Sequence, residues 1–303
     1  MTDREYLFPD LGSADGYPPP GTLTSTAITG WMTCARCFAH DNIQHLTKPA
    51  SVHFAVGTAV HHSAECVGQL LLEGDDSPPD VSEIIERSLA VFEREVSKES
   101  DRNGTERIPP TQAEAADAKI VARRVSEFAV PRLYQLYRQR GLVALEYQLP
   151  AHLNPFPFPM TGRCDAISGG PKKGLPLILS DIKTSAQKNR PDQNNRVQGG
   201  IYALFVRQSG EEPRVIFDQI TKAISPQFNS YVLGLEGGLY MTPGQLEVVR
   251  ETVTDIAGLI SDGYAAYLSE DWQTFRRCFP IGQGWNGKHD YDHGVPEAHL
   301  LVA

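Results

Sequence analysis

The chain is short of positive charge. Its 303 residues carry 28 Lys and Arg against 37 Asp and Glu, a formal net charge of −9. A chain of that balance is not drawn to nucleic acid or to an anionic membrane by its overall charge. It lacks an apolar run long enough to span a bilayer, which predicts no membrane partner. Met1 to Pro20 is polar and rich in Pro and Gly, with no apolar signal-peptide core, so a cytoplasmic protein is expected. Cysteine is scarce: five residues, an odd number without disulfide-like spacing, fit a reducing compartment. No internal repeat is apparent. No Gly-x-x-x-x-Gly-Lys-Ser/Thr loop occurs, so the chain has no nucleotide-driven motor of its own.

What is present is the composition of a soluble globular protein, with 41% hydrophobic and 21% charged residues. The informative stretch runs from Met160 to Tyr202. It reads Thr161-Gly162-Arg163-Cys164-Asp165, then an apolar run from Leu175 to Leu179, then Ser180-Asp181-Ile182-Lys183-Thr184. Strand side chains alternate, so Asp181 and Lys183 share a face and Ile182 points into the opposite, apolar one. Carboxylates at the ends of buried strands are costly unless something uses them. A divalent cation would use them, because Mg²⁺ and Mn²⁺ favour oxygen ligands from one or two carboxylates. Asp165 and Asp181 then form that pair. Lys183 stands beside it as a charge stabiliser or, with a depressed pKa, as a base. The alternative is an ordinary Asp–Lys pair at a solvated strand end.

Periodicity supplies the frame. Met1 to Gly21 is expected to be a flexible leader. One helix is predicted over Thr24 to His45 with Ser25 as a possible N-cap, and a second over Gly57 to Glu73, with Ala50 to Phe54 as connector. Val81 to Ser97 and Thr111 to Arg140 follow as helices, with Pro131 expected to kink or break the latter. Strands are predicted at Leu142 to Pro150, Met160 to Ile167, Leu175 to Lys183, Arg214 to Ala223 and Tyr231 to Leu235. Helices are predicted at Arg196 to Gln208 and from Thr242-Pro243 to Ser269. The pattern predicts an α/β fold with a mixed central sheet flanked by helices. One domain is expected over 22–270, with a helical portion at 22–141, a core at 142–224 and a C-terminal helix at 242–269. An irregular tail is expected over 271–303.

Four motifs in order carry a resemblance. Gly57-Thr58-Ala59-Val60-His61, Gly162-Arg163-Cys164-Asp165, Asp181-Ile182-Lys183-Thr184 and Gln198-Gly199-Gly200-Ile201-Tyr202 resemble those of the RecB-like exonuclease branch of the PD-(D/E)XK nuclease superfamily. The resemblance covers Thr24 to Tyr202. It implies a restriction-endonuclease-like fold and Mg²⁺- or Mn²⁺-dependent hydrolysis of DNA, as an exonuclease in recombination, repair or CRISPR-related processing. It implies that His61, Asp165, Asp181 and the Ile182 carbonyl bind metal, that Lys183 is catalytic, and that Gln198 and Tyr202 support the lysine or the phosphate. Glu146 falls where many members carry an acid, and is assigned a supporting role or that of a strand-end charge. DNA is the implied partner, and a helicase or recombination protein would be a separate chain. Two rivals stand beside this reading: an inactive nucleic-acid-binding module of the same fold, and a hydrolase of another phosphorylated substrate.

The net charge favours the second rival. Within the chain, however, Arg163 to Arg214 is basic on balance, and local basic surface matters more for phosphate contact than the total. Some relatives hold an iron–sulfur cluster with one cysteine near Cys34 and three near the C-terminus. Here the C-terminal region offers only Cys278, so a cluster, which needs four thiolates, is not expected; nor is zinc on Cys34, Cys37, Cys278 and a histidine. Cys66 and Cys164 read as buried hydrophobes. His289, Asp290, Asp292 and His293 read as surface tail.

Overall fold

The structure, a computed structural model, describes residues 22–46, 48–74, 77–100, 106–170, 174–234 and 240–280. In chain order the strands are β1 (Leu23–Thr24), β2 (Lys48–Pro49), β3 (Arg107–Ile108), β4 (Leu142–Gln148), β5 (Met160–Thr161), β6 (Arg163–Gly170), β7 (Leu175–Ser185), β8 (Arg214–Thr221) and β9 (Phe228–Val232). The helices are α1 (Ser25–Thr33), α2 (Ala35–Ala39), α3 (Val52–Leu72), α4 (Val81–Val96), α5 (Gln112–Arg140), α6 (Gln193–Arg207), α7 (Pro243–Leu268) and α8 (Trp272–Cys278). No helix among the described residues is long and apolar enough to cross a membrane.

The main sheet has five strands in the order β4-β6-β7-β8-β9. All pairings are antiparallel except β7 with β8, which run parallel with Lys183 opposite Gln219. A parallel pair needs a crossover, and α6 supplies it. The sheet is therefore mixed, as expected, and β7 is its central strand, with apolar residues on both faces. On one face α6 and α7 contribute Val197, Ile201, Phe205, Val249 and Val253 to the core. On the other, α3 and α5 contribute Val60, Val67, Val125 and Leu133. Helix α4 lies outside that layer, against Ala55, Ala59 and Ala122. Where α3, α4 and α5 meet, Ser63 Oγ lies 2.8 Å from Ser88 Oγ and 3.1 Å from Ser126 Oγ. Small polar residues let the three backbones approach and satisfy one another.

An ionic tie fixes the end of α5 to the sheet. Arg140 donates to both oxygens of Asp218 on β8, at 2.5 and 3.0 Å, and to Ser180 Oγ on β7 at 3.1 Å. Asp218 is fully buried, and the bidentate guanidinium supplies the partner such a carboxylate requires.

Several local expectations change. The first predicted helix is interrupted at Cys34, whose extended backbone ends α1 and whose sulfur accepts from Cys37 N at 3.3 Å. A thiol thus takes the capping place of an oxygen, and a π-helical turn, His40–Gln44, follows α2. The N-cap of α1 is Thr24, one residue before Ser25. Helix α3 starts at Val52 because Ser51 caps it, accepting from Phe54 N; Gly57 lies inside the helix. Pro131 neither breaks nor ends α5. Val130 and Leu133 on either side of it are fully buried, and that burial holds the helix through a residue costing about 3 kcal/mol in a free helix. The last strand is Phe228–Val232, earlier than expected. The tail predicted from 271 begins with α8, whose Phe275 is buried beside Phe38. The predicted leader and the His289-to-His293 cluster lie outside the described residues.

The motif glycines of α6 are explained by close packing. A Cβ on Gly200 would lie 2.6 Å from Val249 Cγ2 and 2.9 Å from Cγ1 of α7. Valine has little rotameric freedom with which to yield. Gly200→Ala is expected to cost about 1–3 kcal/mol, read as a lower midpoint in a thermal melt followed by circular dichroism. An unchanged midpoint would mean that α7 moves aside freely.

Candidate active site

The site lies where β4, β6 and β7 run side by side beneath α3. Two strands break their alternation to build it. Ala144 and Tyr147, an odd number of positions apart, pack in the same core cluster, so the phase of β4 is broken between them. Glu146, which lies there, has a φ of 45°, a left-handed conformation that costs a non-glycine residue about 1 kcal/mol or more. The facing strand breaks its phase as well: Cys164 and Ile167 share one cluster while Ala166 joins the opposite one. These paired departures bring Glu146 and Asp165 to His61 on α3. One ligand atom from each of His61, Glu146 and Asp165 lies within 4.8 Å of the others, and among the described residues this is the sole such group of His, Cys, Asp and Glu.

Asp165 is the hub. One carboxylate oxygen lies 3.3 Å from His61 Nδ1 and the other accepts from Ile182 N at 2.5 Å. Burial alone would raise its pKa, but the imidazole and the Ile182 amide outweigh burial and lower it. For His61 the reverse contest gives a rise to about 9: burial lowers it, and the charge and hydrogen bond of Asp165 overcome that. A third of the imidazole is open to solvent (33%), which moderates the rise. Glu146 is raised to about 7, first by burial and then by the charge of Asp165, with Arg163 opposing at 2.9 Å.

Asp181 faces α6 from β7. Its Oδ1 lies 3.1 Å from the Tyr202 hydroxyl and 3.4 Å from Gln198 Nε2. The same hydroxyl lies 2.8 Å from the Arg163 carbonyl, so one proton serves two acceptors. The second oxygen of Asp181 lies 2.5 Å from Lys183 Nζ, a direct ion pair. Burial, followed by the neighbouring Asp165 against the counter-effect of Lys183, raises its pKa. Lys183 in turn donates to Gln198 Oε1 at 2.8 Å, and its ammonium lies 5.3 Å from the centre of the Phe217 ring. The Ile182 side chain is buried on the α3 face of the sheet.

The motif spacing now has a physical basis. A Cβ on Gly57 would meet Thr184 Oγ1 at 3.1 Å, so the glycine lets α3 lie against β7. A Cβ on Gly162 would come within 3.0 Å of the Tyr202 ring, which packs over the strand backbone there. All eight residues singled out from the sequence fall in this region. The difference is one of grouping: Glu146, expected as a support, stands with His61 and Asp165, while Asp181 is engaged with Lys183, Gln198 and Tyr202. No sequence signal marks a left-handed glutamate in the middle of a strand. Cys34 and Cys37 pack against Leu46, and Cys278 belongs to a separate cluster with Phe38 and Phe275.

The donor set suits a hard divalent cation. It comprises carboxylate oxygens and one imidazole, and Asp181 adds a further buried carboxylate, ion-paired with Lys183.

No family model and no curated protein matches this chain. Among solved structures, a candidate exonuclease from Eubacterium rectale is similar at 13% identity and a TM-score of 0.43, over 89% of this chain and 86% of that one. The protein SSO0001 is similar at 13% identity and a TM-score of 0.37, over 81% and 79%. At that level of similarity, the chemistry of the site has to be read from its own residues.

Glu146 and His61, two of the raised groups, bind protons more tightly in the folded state. The stability linked to Glu146 is full below its ordinary 4.5 and lost as pH rises through about 7. That linked to His61 is full below 6.5 and lost through about 9. Thermal midpoints in chelator should therefore fall between pH 6.5 and 9, and His61→Gln should make that limb shallower, the remainder belonging to His62, which hydrogen bonds with Cys66 and Glu65 also raise to about 9. A limb of the same slope in the variant would place the titration elsewhere.

Proposed function

We propose that the protein is a metal-dependent nuclease that hydrolyses DNA phosphodiester bonds, acting as an exonuclease of the RecB-like PD-(D/E)XK type. The observation that carries this reading is the convergence of His61, Glu146 and Asp165 on one point, next to a lysine fixed by Gln198 and paired with Asp181. The order of the four sequence motifs supports the family and, through it, the exonuclease activity and the DNA substrate.

His61, Glu146 and Asp165, together with the Asp181 oxygen that faces Lys183, would hold Mg²⁺ or Mn²⁺. When bound, such an ion neutralises charge at the scissile phosphate and acidifies water. Glu146 has to lose its proton, and His61 has to be neutral, before either is a ligand, so binding releases protons and strengthens as pH rises. Asp165 keeps His61 oriented through the Nδ1 contact, and the Ile182 amide fixes Asp165 in turn. Lys183 places a positive charge where the phosphate becomes more negative in the transition state. Gln198 and Asp181 hold that ammonium, and Tyr202 holds Asp181, so α6 acts as the clamp on the catalytic lysine.

Degradation of linear duplex, circular duplex and single-stranded DNA with Mg²⁺ or Mn²⁺ tests this. Wild type should remove linear DNA and spare circles, and a chelator should stop it. Lys183→Ala and Asp165→Ala should each lower the rate about 100-fold or more. Cutting of circles would make the enzyme an endonuclease of the same chemistry. Activity that survives both substitutions would remove the site from consideration.

A further inference from the structure

Helix α3 carries more than His61 on the face it turns to β7. His53, Gly57 and His61 recur at four-residue spacing and so form one stripe. His61 meets Asp165 at one end, and Gly57 meets Thr184 in the middle. Beyond Thr184 the chain of β7 ends at Ser185, whose carbonyl accepts from Lys222 N at 2.7 Å. The Lys222 carbonyl in turn accepts from Arg124 Nη2 at 3.3 Å. The first turn of α3, the end of β7 and the residue after β8 therefore meet, and three basic side chains converge there.

The cluster has no anion of its own among the described residues. Among the described residues, neither Lys222 nor His53 has a carboxylate or a hydrogen-bond partner for its side chain. Burial alone lowers the pKa of Lys222, with no acid to restore it, and burial followed by the charge of Lys222 lowers that of His53. Arg124 Nε is buried without a hydrogen-bond partner. A half-buried ammonium without an acid is costly in an isolated protein. Phe54, the next residue along α3, is 55% exposed and offers a ring face on which a base can stack. Basic side chains beside a free aromatic face make the combination that binds single strands.

We propose that His53, Lys222 and Arg124 form a second phosphate-binding subsite, which holds the substrate strand away from the scissile bond. This rests on the nuclease reading of the His61 site and names how that site grips its strand. Eight residues of helix separate His53 from His61, a rise of about 12 Å, so the contact falls a few nucleotides along the strand. Lys222 supplies the charge, and His53, neutral at pH 7, supplies an N–H donor.

The test measures binding of labelled single-stranded oligonucleotides of graded length by fluorescence anisotropy in chelator, with turnover in Mn²⁺ measured in parallel. Lys222→Ala combined with His53→Ala should weaken binding of a long strand about tenfold, and Lys222→Ala alone should lower the salt slope by about one. Lys222→Arg should restore most of the affinity, which separates lost charge from lost structure. Loss in KM should exceed loss in kcat, and the shortest strands, which cannot reach Lys222, should be bound alike by wild type and variant. Lys98→Ala, which removes a lysine paired with Glu95, controls for overall charge. Wild-type binding and cutting with an unaltered double variant would overturn the subsite and leave the nuclease reading standing. Equal losses for short and long strands would overturn its placement. A wild type that neither binds nor cuts any nucleic acid would overturn the nuclease reading and the subsite with it.

Discussion

The structure depends on how buried negative charge is compensated. Asp165 and Asp181 sit on adjacent strands, with Glu146 on the next, and like charges so placed cannot all remain ionised in a dry interior without partners. Each receives a different one. Asp165 takes an imidazole and a backbone amide, Asp181 takes a lysine and a tyrosine, and Glu146 leans on the half-exposed Arg163 and holds its proton more tightly. Positioning these partners requires both helical layers: α3 for His61 from one side, α6 for Gln198 and Tyr202 from the other. The close approaches at Gly57, Gly162 and Gly200 follow from that demand.

Lys183 shows how one strand serves both layers. Its neighbours alternate, with Asp181 and Lys183 facing α6 and Ile182 facing α3, while the Ile182 amide is spent on Asp165. The strand thus presents its side chains to the lysine clamp and its backbone to the donor cluster. Behind it, Arg140, Asp218 and Ser180 tie the same strand to α5. Movement of β7 against α5 would have to break the Arg140–Ser180 hydrogen bond, and movement of the neighbouring β8 the buried bidentate pair with Asp218, so the lysine and the carboxylates stay in register with one another.

Much of this was legible in the sequence because it depends on local pattern. The apolar run from Leu175 to Leu179 marked a strand buried on both faces, and the Asp-x-Lys spacing put two polar groups on one face of it. The four-residue spacing from Gly57 to His61 marked a helix face. Other features depend on contacts distant in the chain. The left-handed Glu146 is held by the strand opposite it, which no periodicity in β4 reveals. Cys34 caps a helix with sulfur, a role that propensity assigns to oxygen. The helix after Trp272 is short and gains its stability from Phe38, far away in sequence. The cationic cluster at Lys222 was equally hidden, since His53, Arg124 and Lys222 come from three separate segments.

The parallel pairing of β7 with β8 has a consequence for synthesis of the chain. Asp218, the anchor for Arg140, arrives only after the α6 crossover has been made, and His61 reaches Asp165 only when α3 has docked on the finished strands. Non-local pairings of this kind form late in folding. A nascent chain that has emerged only as far as Lys183 carries every donor of the cluster yet has neither the clamp on its lysine nor the tie beneath its central strand. The geometry of the cluster is therefore completed late, and an incomplete product of translation carries the parts of the site without their arrangement.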